Sequence, residues 1–253
     1  MASSLARLIA CAGLLGLAGC GAPETPVSIR FAALADGVPL TCGAQGLTDL
    51  RLFVHDVVLL TEHGEIPLKI DPAAPWQNSA VALMDLEDGE GSCETGSAAT
   101  HAMLTGHAAK GNYNGVRFTI GVPFALNHAD PALATAPLDQ TAMHWHWQAG
   151  YKFLRAGMKR DGVQSFLHLG ATGCEGRIGK VTSCARPNRV TVTLTGFNPT
   201  TDAVGIDLGT LFGAATESAA CQSEPDKAAC AGMLAPLGLG DKPQTVFRRV
   251  GQN

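Results

Sequence analysis

The sequence predicts a mainly β protein, an antiparallel β-sandwich with disulfide-pinned loop or helical excursions. Two observations carry this expectation. Apolar side chains alternate with polar or small ones in several segments, the period of strands that bury one face. These segments are short and set apart by turns drawn from 30 Gly, 14 Pro and several Asn, the punctuation of a sandwich rather than of a βαβ fold. With 253 residues, 46% of them hydrophobic, the chain can bury one substantial core.

Residues 1–19 read as a signal of the lipoprotein kind. Arg7 gives a weakly basic start, Leu8 to Gly19 is a run of apolar and small residues, and Leu17-Ala18-Gly19-Cys20 follows. The run is short for a bilayer span. It resembles the bacterial lipobox, which implies cleavage before Cys20, lipidation of its thiol and attachment to the periplasmic face of a bacterial membrane, the outer membrane above all. Residues 20–26 then form a lipidated tether, and residues 27–253 the folded domain.

Within that domain Val27, Ile29 and Phe31 alternate with Ser28, Arg30 and Ala32. Leu50 to Leu60 and Ala80 to Asp85 are the next strand candidates, and Val116, Phe118, Ile120 and Val122 repeat the period. Trp145 to Leu154, Phe166 to Gly170, Val190 to Leu194 and Thr245 to Val250 complete the set. Asp202 to Phe212 reads as a short helix, and Ala214 to Gly240 as a loop or helical excursion.

Of eight cysteines, Cys11 leaves with the signal and Cys20 carries lipid. The remaining six are Cys42, Cys93, Cys174, Cys184, Cys221 and Cys230, an even number in an exported chain, and they read as disulfides. Several connectivities are open. Short separations favour Cys174 with Cys184 and Cys221 with Cys230, leaving Cys42 for Cys93. A thiolate metal site is the rival, but the sequence has no C-x-x-C pair. The net charge of -4, with no basic run, argues against nucleic acid.

Chemistry concentrates in Met143-His144-Trp145-His146-Trp147-Gln148, which holds two of three tryptophans and two of eight histidines. On a strand, Trp145 and Trp147 share one face and His144 and His146 the other. Among the other histidines, His63, His101 and His107 fall in polar or Ala, Gly and Thr-rich stretches and read as surface residues. His55 lies in Leu-Phe-Val-His-Asp-Val-Val-Leu-Leu, on a face with Phe53, Val57 and Leu59. A buried imidazole needs partners, so it is either a satisfied core residue or a ligand. His168, in Phe-Leu-His-Leu-Gly, has the same two readings. His128 sits in a loop after the 116–124 segment, where function concentrates. Trp76 reads as a core or turn residue. The chain has no H-E-x-x-H, G-x-S-x-G, G-x-G-x-x-G or C-x-x-C-H motif, and it reads as a binding protein, not an enzyme.

Several segments together resemble the MbnP-like family, named for its methanobactin-associated members. They are Phe-Val-His-Asp-Val (53–57), Pro-Trp-Gln (75–77), Val-Ala-Leu-Met-Asp-Leu-Glu (81–87), Gly-Val-Pro-Phe-Ala-Leu-Asn-His (121–128), Trp-His-Trp-Gln-Ala-Gly-Tyr-Lys-Phe (145–153) and His-Leu-Gly-Ala-Thr-Gly-Cys (168–174). Cys221 and Cys230 resemble part of the family's four-cysteine pattern. W-x-W followed by Gly-Tyr-Lys-Phe is the most specific of these.

The resemblance implies an exported protein that binds a single copper(I) for copper homeostasis. Binding depends on oxidation of the first W-x-W tryptophan, here Trp145, to kynurenine by a partner of the diheme cytochrome c peroxidase family. The chemistry is coherent. Indole offers an N–H donor and no free lone pair, whereas kynurenine exposes an aryl amine that can coordinate. Two imidazoles would complete a low-coordinate nitrogen site suited to copper. The expected ligands are His55, His128 and modified Trp145, with His168 in reserve. Trp147 packs or relays an electron hole, and His144 and His146 rank lower because alternation turns them away from Trp145. The alternative is a carbohydrate- or protein-binding sandwich with Trp145 and Trp147 as a platform.

Overall fold

The computed structural model describes residues 23–43, 46–214, 217–224 and 226–251. The signal, Cys20 and residues 21–22 of the tether lie outside the described residues. No helix among those described is long and apolar enough to cross a membrane.

Two sheets face each other. The first runs Phe247–Gly251, Asp202–Asp207, Glu24–Ala35, Met103–Ala109, Lys69–Ile70, with Val38–Pro39 folded back on Glu24–Ala35. The second runs Val190–Thr195, Gly115–Ile120, Leu47–Thr61, Gly150–Arg160, Val163–Gly170, Ala219–Cys221. Three short strands join it: Gly64–Pro67 and Ala82–Asp85 pair with Leu47–Thr61, and His144–His146 pairs with Gly150–Arg160. A separate hairpin, Thr172–Arg177 with Lys180–Arg186, stands outside both sheets.

The alternation seen in the sequence does the packing. Val190–Thr195 is buried and exposed at alternate residues, as a half-buried strand must be. The seam between the sheets is aromatic. Phe118, from the second sheet, meets the rings of Phe31 and Phe247, from the first, edge-on at 5.7 and 6.2 Å. Edge-to-face contact is the preferred aromatic geometry and adds about 0.5–1.5 kcal/mol beyond burial.

The sandwich is as expected, with four refinements. Most pairings are antiparallel, but Glu24–Ala35 pairs in parallel with Asp202–Asp207, and Val163–Gly170 with Ala219–Cys221. Residues 202–207 form a strand, and only Leu208–Phe212 is helical. The wholly apolar run Ala-Val-Gly-Ile suits a strand buried on both faces, which periodicity cannot separate from a buried helix. The 145–154 segment is a hairpin, His144–His146 turning back onto Gly150–Arg160. The turn needs Gly150 (φ 76°), where a Cβ would fall 2.1 Å from the Asn127 carbonyl oxygen. Met103–Ala109 and the 172–186 hairpin are strands that composition alone did not mark: in the first, Gly106 and Ala108 at inward positions blunt the periodic signal, and the second is mostly exposed and has no buried face to alternate.

Three disulfides are formed, Cys42–Cys93, Cys174–Cys184 and Cys221–Cys230. The last ties the Ala219–Cys221 edge strand to the short helix Ala228–Leu234. Closing so short a loop is worth about 2–3 kcal/mol in the chain-entropy model. The double variant Cys221→Ser with Cys230→Ser is therefore expected to lose about that much stability in urea unfolding, an outcome read from the midpoint at unchanged slope.

Candidate metal centre

His55 and His168 lie on the outer face of the second sheet, away from the interface with the first, and His128 and Trp145 lie in the segment that covers that face. Cross-strand register shows this. Directly opposed residues share a face, and Val54 opposes Ile120 whereas His55 opposes Thr119. Phe118, which touches the first sheet, lies on the side of Val54 and Ile120, so His55 points the other way. Next along the strand comes a bulge. Its extra residue is accommodated at Asp56, whose φ is 50°, and beyond it Leu59 opposes Val116. Val57 and Leu59 therefore do not share a face with His55, contrary to uninterrupted alternation, because a bulge reverses the facing of all that follows.

The outer face is covered by the excursion 121–149, which carries His128 and the tryptophan hairpin. A short helix, Phe124–Asn127, leads into His128. Asn127 is buried and acts as the clamp. Its amide Nδ2 donates to the Ala149 carbonyl at 2.9 Å, and its Oδ1 accepts the Tyr151 N–H at 2.9 Å. The same Nδ2 lies 3.1 Å from His128 Nε2. An amide nitrogen can only donate, so His128 is held as the tautomer with its lone pair on Nε2.

Both imidazoles are buried, His55 at 4% and His128 at 7% exposure. Neither is fully satisfied. His55 Nε2 and His128 Nδ1 have no hydrogen-bond partner, and Asp56 Oδ2 sits 2.9 Å from His55 Nδ1 without hydrogen-bond geometry. Burial lowers the pKa of both rings. The guanidinium of Arg189 lowers both further, and at His55 the Asp56 carboxylate opposes it. Arg189 reaches this space from the edge of the sheet, donating from Nε to the Val122 carbonyl at 2.8 Å and lying over the rings of Phe153 and Phe124 at 5.1 and 5.9 Å. The two histidines thus share one half-buried cation and are kept neutral. That is the state in which imidazole binds metals.

Trp145 is half-buried on the same sheet. Its indole covers Gly170, where an added Cβ would fall 3.0 Å from Cε3. Gly170 is held from both sides, by Ser223 Oγ on its N–H at 2.9 Å and by Asn188 Nδ2 on its carbonyl at 2.8 Å. Trp145 also borders a cavity of about 380 Å³, shared with Gln148, Thr172, Cys174, Arg186 and Glu224. Cys174 connects the two halves of the region, because Sγ of its partner Cys184 is 3.5 Å from His128 Nε2. Trp147 lies in the turn, half-buried. His146 is exposed, and His144 sets its ring edge-on against Tyr151.

His168 occupies a different neighbourhood on the same face. It opposes Arg155, beside an ion-pair cluster in which Asp49 receives Arg51 in a bidentate pair at 2.9 and 3.0 Å and also contacts Arg155. Burial first, then Arg155 and Lys152, push the His168 pKa down to about 4. In the same cluster burial and Glu87 push the Asp85 pKa up to about 7. His101 is half-buried, not a surface residue, whereas the His107 side chain is 43% exposed, as a surface residue should be. His101 bonds the Leu83 carbonyl at 2.9 Å and stacks on Trp76, while His107 bonds Asp71 at 2.8 Å. Sequence reading missed Asn127, Gly170 and Arg189. Asn127 stood next to His128 and could have been flagged; Arg189 left no local signal.

A disulfide-stapled β-sandwich with neutral, unpartnered imidazoles buried on one outer face defines a nitrogen-rich binding scaffold. Comparison with known proteins gives this class a family. The MbnP family model matches residues 24–229, and the chain belongs to that family. The solved structure of MbnP from Methylosinus trichosporium aligns with a TM-score of 0.77 at 25% identity, over 92% of this chain and 100% of the other. No curated protein matches the chain. Membership supports a methanobactin-associated, copper-related role.

Two outcomes follow from the geometry. Gly170→Ala forces a methyl against Trp145 and against the Tyr151 carbonyl, 2.9 Å away, and overpacking of this kind costs about 1–3 kcal/mol; the tryptophan emission should shift and the melting temperature fall. The second concerns acid. His168 binds a proton less readily folded than unfolded, so it adds stability above its unfolded value of about 6.5 that is lost as pH falls from there toward about 4. Asp85, raised, acts with the opposite sign in that window. The difference in melting temperature between His168→Gln and the parent isolates His168, and it should grow in favour of the variant from pH 6.5 down to 4.

Proposed function

We propose that the protein is an exported copper(I)-binding lipoprotein of the cell envelope, whose site is completed when Trp145 is oxidised to kynurenine. His55 and His128 supply the imidazoles, and the kynurenine amine supplies the third nitrogen. The observation that carries this reading is the pair of buried, neutral imidazoles with orphaned ring nitrogens on the sheet face that Trp145 also covers. A buried polar atom without a partner costs roughly 1–3 kcal/mol, which a metal bond at His55 would remove; at His128 the lone pair is on Nε2, where a metal would take the place of the hydrogen bond from Asn127. The donor set fits the ion, since imidazole suits copper and a monovalent ion is content with few ligands.

Trp145 suits the role of the residue modified. Its half-buried indole lines a cavity open to solvent, so an oxidant can reach it, while Gly170 fixes where the new amine would be presented. The oxidant is a diheme cytochrome c peroxidase-like partner. Lipidation at Cys20 would hold the domain on the membrane surface, where exported copper is met; a diacylglyceryl group brings two acyl chains, and stable anchoring takes two. His168 is a weaker ligand candidate, because Arg155 and Lys152 bear on it and would repel a cation.

Co-expression with the diheme partner should give the Trp145 peptide a mass gain of two oxygens less one carbon monoxide, with copper co-purifying in proportion, and intact mass should report lipid on Cys20. Trp145→Phe should lose both the modification and the copper. His55→Ala and His128→Ala should keep the modification and weaken copper binding by at least about tenfold, as loss of one ligand among three requires. Full copper occupancy in Trp145→Phe would overturn the kynurenine site; normal binding in both histidine variants would overturn the ligand assignment.

A further inference from the structure

His128 faces a second set of potential ligands. Its Nε2 and the sulfurs of Cys174 and Cys184 all lie within 4.8 Å of one another, with Cys184 Sγ at 3.5 Å. While the disulfide is closed the sulfurs are poor donors. We propose that reduction of Cys174–Cys184 opens a distinct soft-metal site, one imidazole and two thiolates, that holds a single copper(I) independently of Trp145.

Three features of the structure support this. The cysteines are direct partners across the 172–186 hairpin, so its backbone pairing keeps both thiols together after the sulfur–sulfur bond breaks. Asn127 already aims the His128 lone pair by donating to Nε2, with its other contacts on Ala149 and Tyr151 fixing the amide. A metal at Nε2 would take the place of that one hydrogen bond. Finally, this disulfide can be reached from solvent: Cys184 is half-buried and Cys174 lines the cavity beside Trp145, whereas Cys221 and Cys230 are fully buried; Cys42 is half-buried as well, but its partner Cys93 is 0% exposed against 9% for Cys174. The hairpin also stands outside both sheets, so opening its cross-link leaves the core pairing in place.

The chemistry balances with an exported dithiol as reductant. One of its thiolates attacks a cysteine sulfur to give a mixed disulfide, its second thiol resolves that intermediate, and two electrons and two protons pass to Cys174 and Cys184 as the dithiol becomes a disulfide. Copper(I) then displaces the two thiol protons and is held by two thiolates and Nε2 of His128. Thiolate donors favour copper(I). The Cys174–Cys184 pair would thus make copper holding responsive to envelope redox state.

The test uses full-length Trp145→Phe protein, in which no kynurenine site can form, so its result is separable from that of the preceding proposal. The protein is treated anaerobically with a limiting water-soluble phosphine, alkylated and mapped, and a parallel unalkylated sample is titrated with copper(I) against a chromophoric chelator. Cys174 and Cys184 should be the first thiols to appear. The reduced protein should bind one copper(I) per chain with thiolate-to-copper absorption in the ultraviolet, and the oxidised protein should not. His128→Ala, with both thiols present, should weaken binding at least about tenfold. Cys174→Ser with Cys184→Ser should abolish the absorption. Equal copper binding by reduced and oxidised protein, first opening at another disulfide, or undiminished affinity in His128→Ala would each overturn the proposal.

Discussion

The Leu47–Thr61 strand is the constraint from which the rest follows. It is buried along most of its length, and a buried backbone must find every hydrogen-bond partner inside the protein. Four strands meet that demand: Gly150–Arg160 along its first half, Ala82–Asp85 beside it, and Gly115–Ile120 and Gly64–Pro67 toward its end. Buried on both sides, it needs a cover on each. The first sheet packs on one side through Phe31, Phe118 and Phe247. The other side is left to the 121–149 excursion, and the site arises in that second layer.

Because the second layer is a covering loop and not a sheet, individual side chains fix its geometry. Asn127 joins His128, Ala149 and Tyr151 through one carboxamide, so the histidine segment and the tryptophan hairpin cannot move independently. Arg189 adds the electrostatic half. Its charge, packed over Phe124 and Phe153, raises the cost of protonating either His55 or His128, on top of the cost of burial. Neutral imidazoles with unpaired nitrogens are unfavourable to keep unless something else is stabilised by them. A metal ion is the occupant that the proposed function supplies.

The outer face is divided electrostatically. Around His55 and His128 the cation that bears on both rings is Arg189, which lies over the aromatic rings of Phe124 and Phe153. Around His168 lie Arg155, Lys152, Asp49 and Arg51, part of a charged network that extends to Asp85 and Glu87, in which Glu87 also accepts the backbone N–H groups of Gly89 and Ser97. That network organises the loop that ends in the Cys42–Cys93 cross-link. One end of the sheet thus has the character of a binding pocket and the other of a charged brace, although the same strands build both.

The sequence by itself determined the sandwich class and most strand positions, and it drew attention to Trp145, because alternation and aromatic density are local properties. Val190–Thr195 reads directly as a half-buried strand, and short separations already favoured the pairing Cys174–Cys184 and Cys221–Cys230. It did not determine the facing of His55 relative to Val57, because the bulge at Asp56 depends on pairing with Gly115–Ile120, which lies far along the chain. Nor could it separate a strand from a helix at 202–207, where burial on both faces erases the period. The approach of Arg189 to two histidines, the seat of Trp145 on Gly170 and the contact of Cys184 with His128 were decided only by tertiary structure. Each joins residues tens of positions apart, and no local pattern encodes which distant backbone a side chain will meet once both faces of a buried strand have been covered.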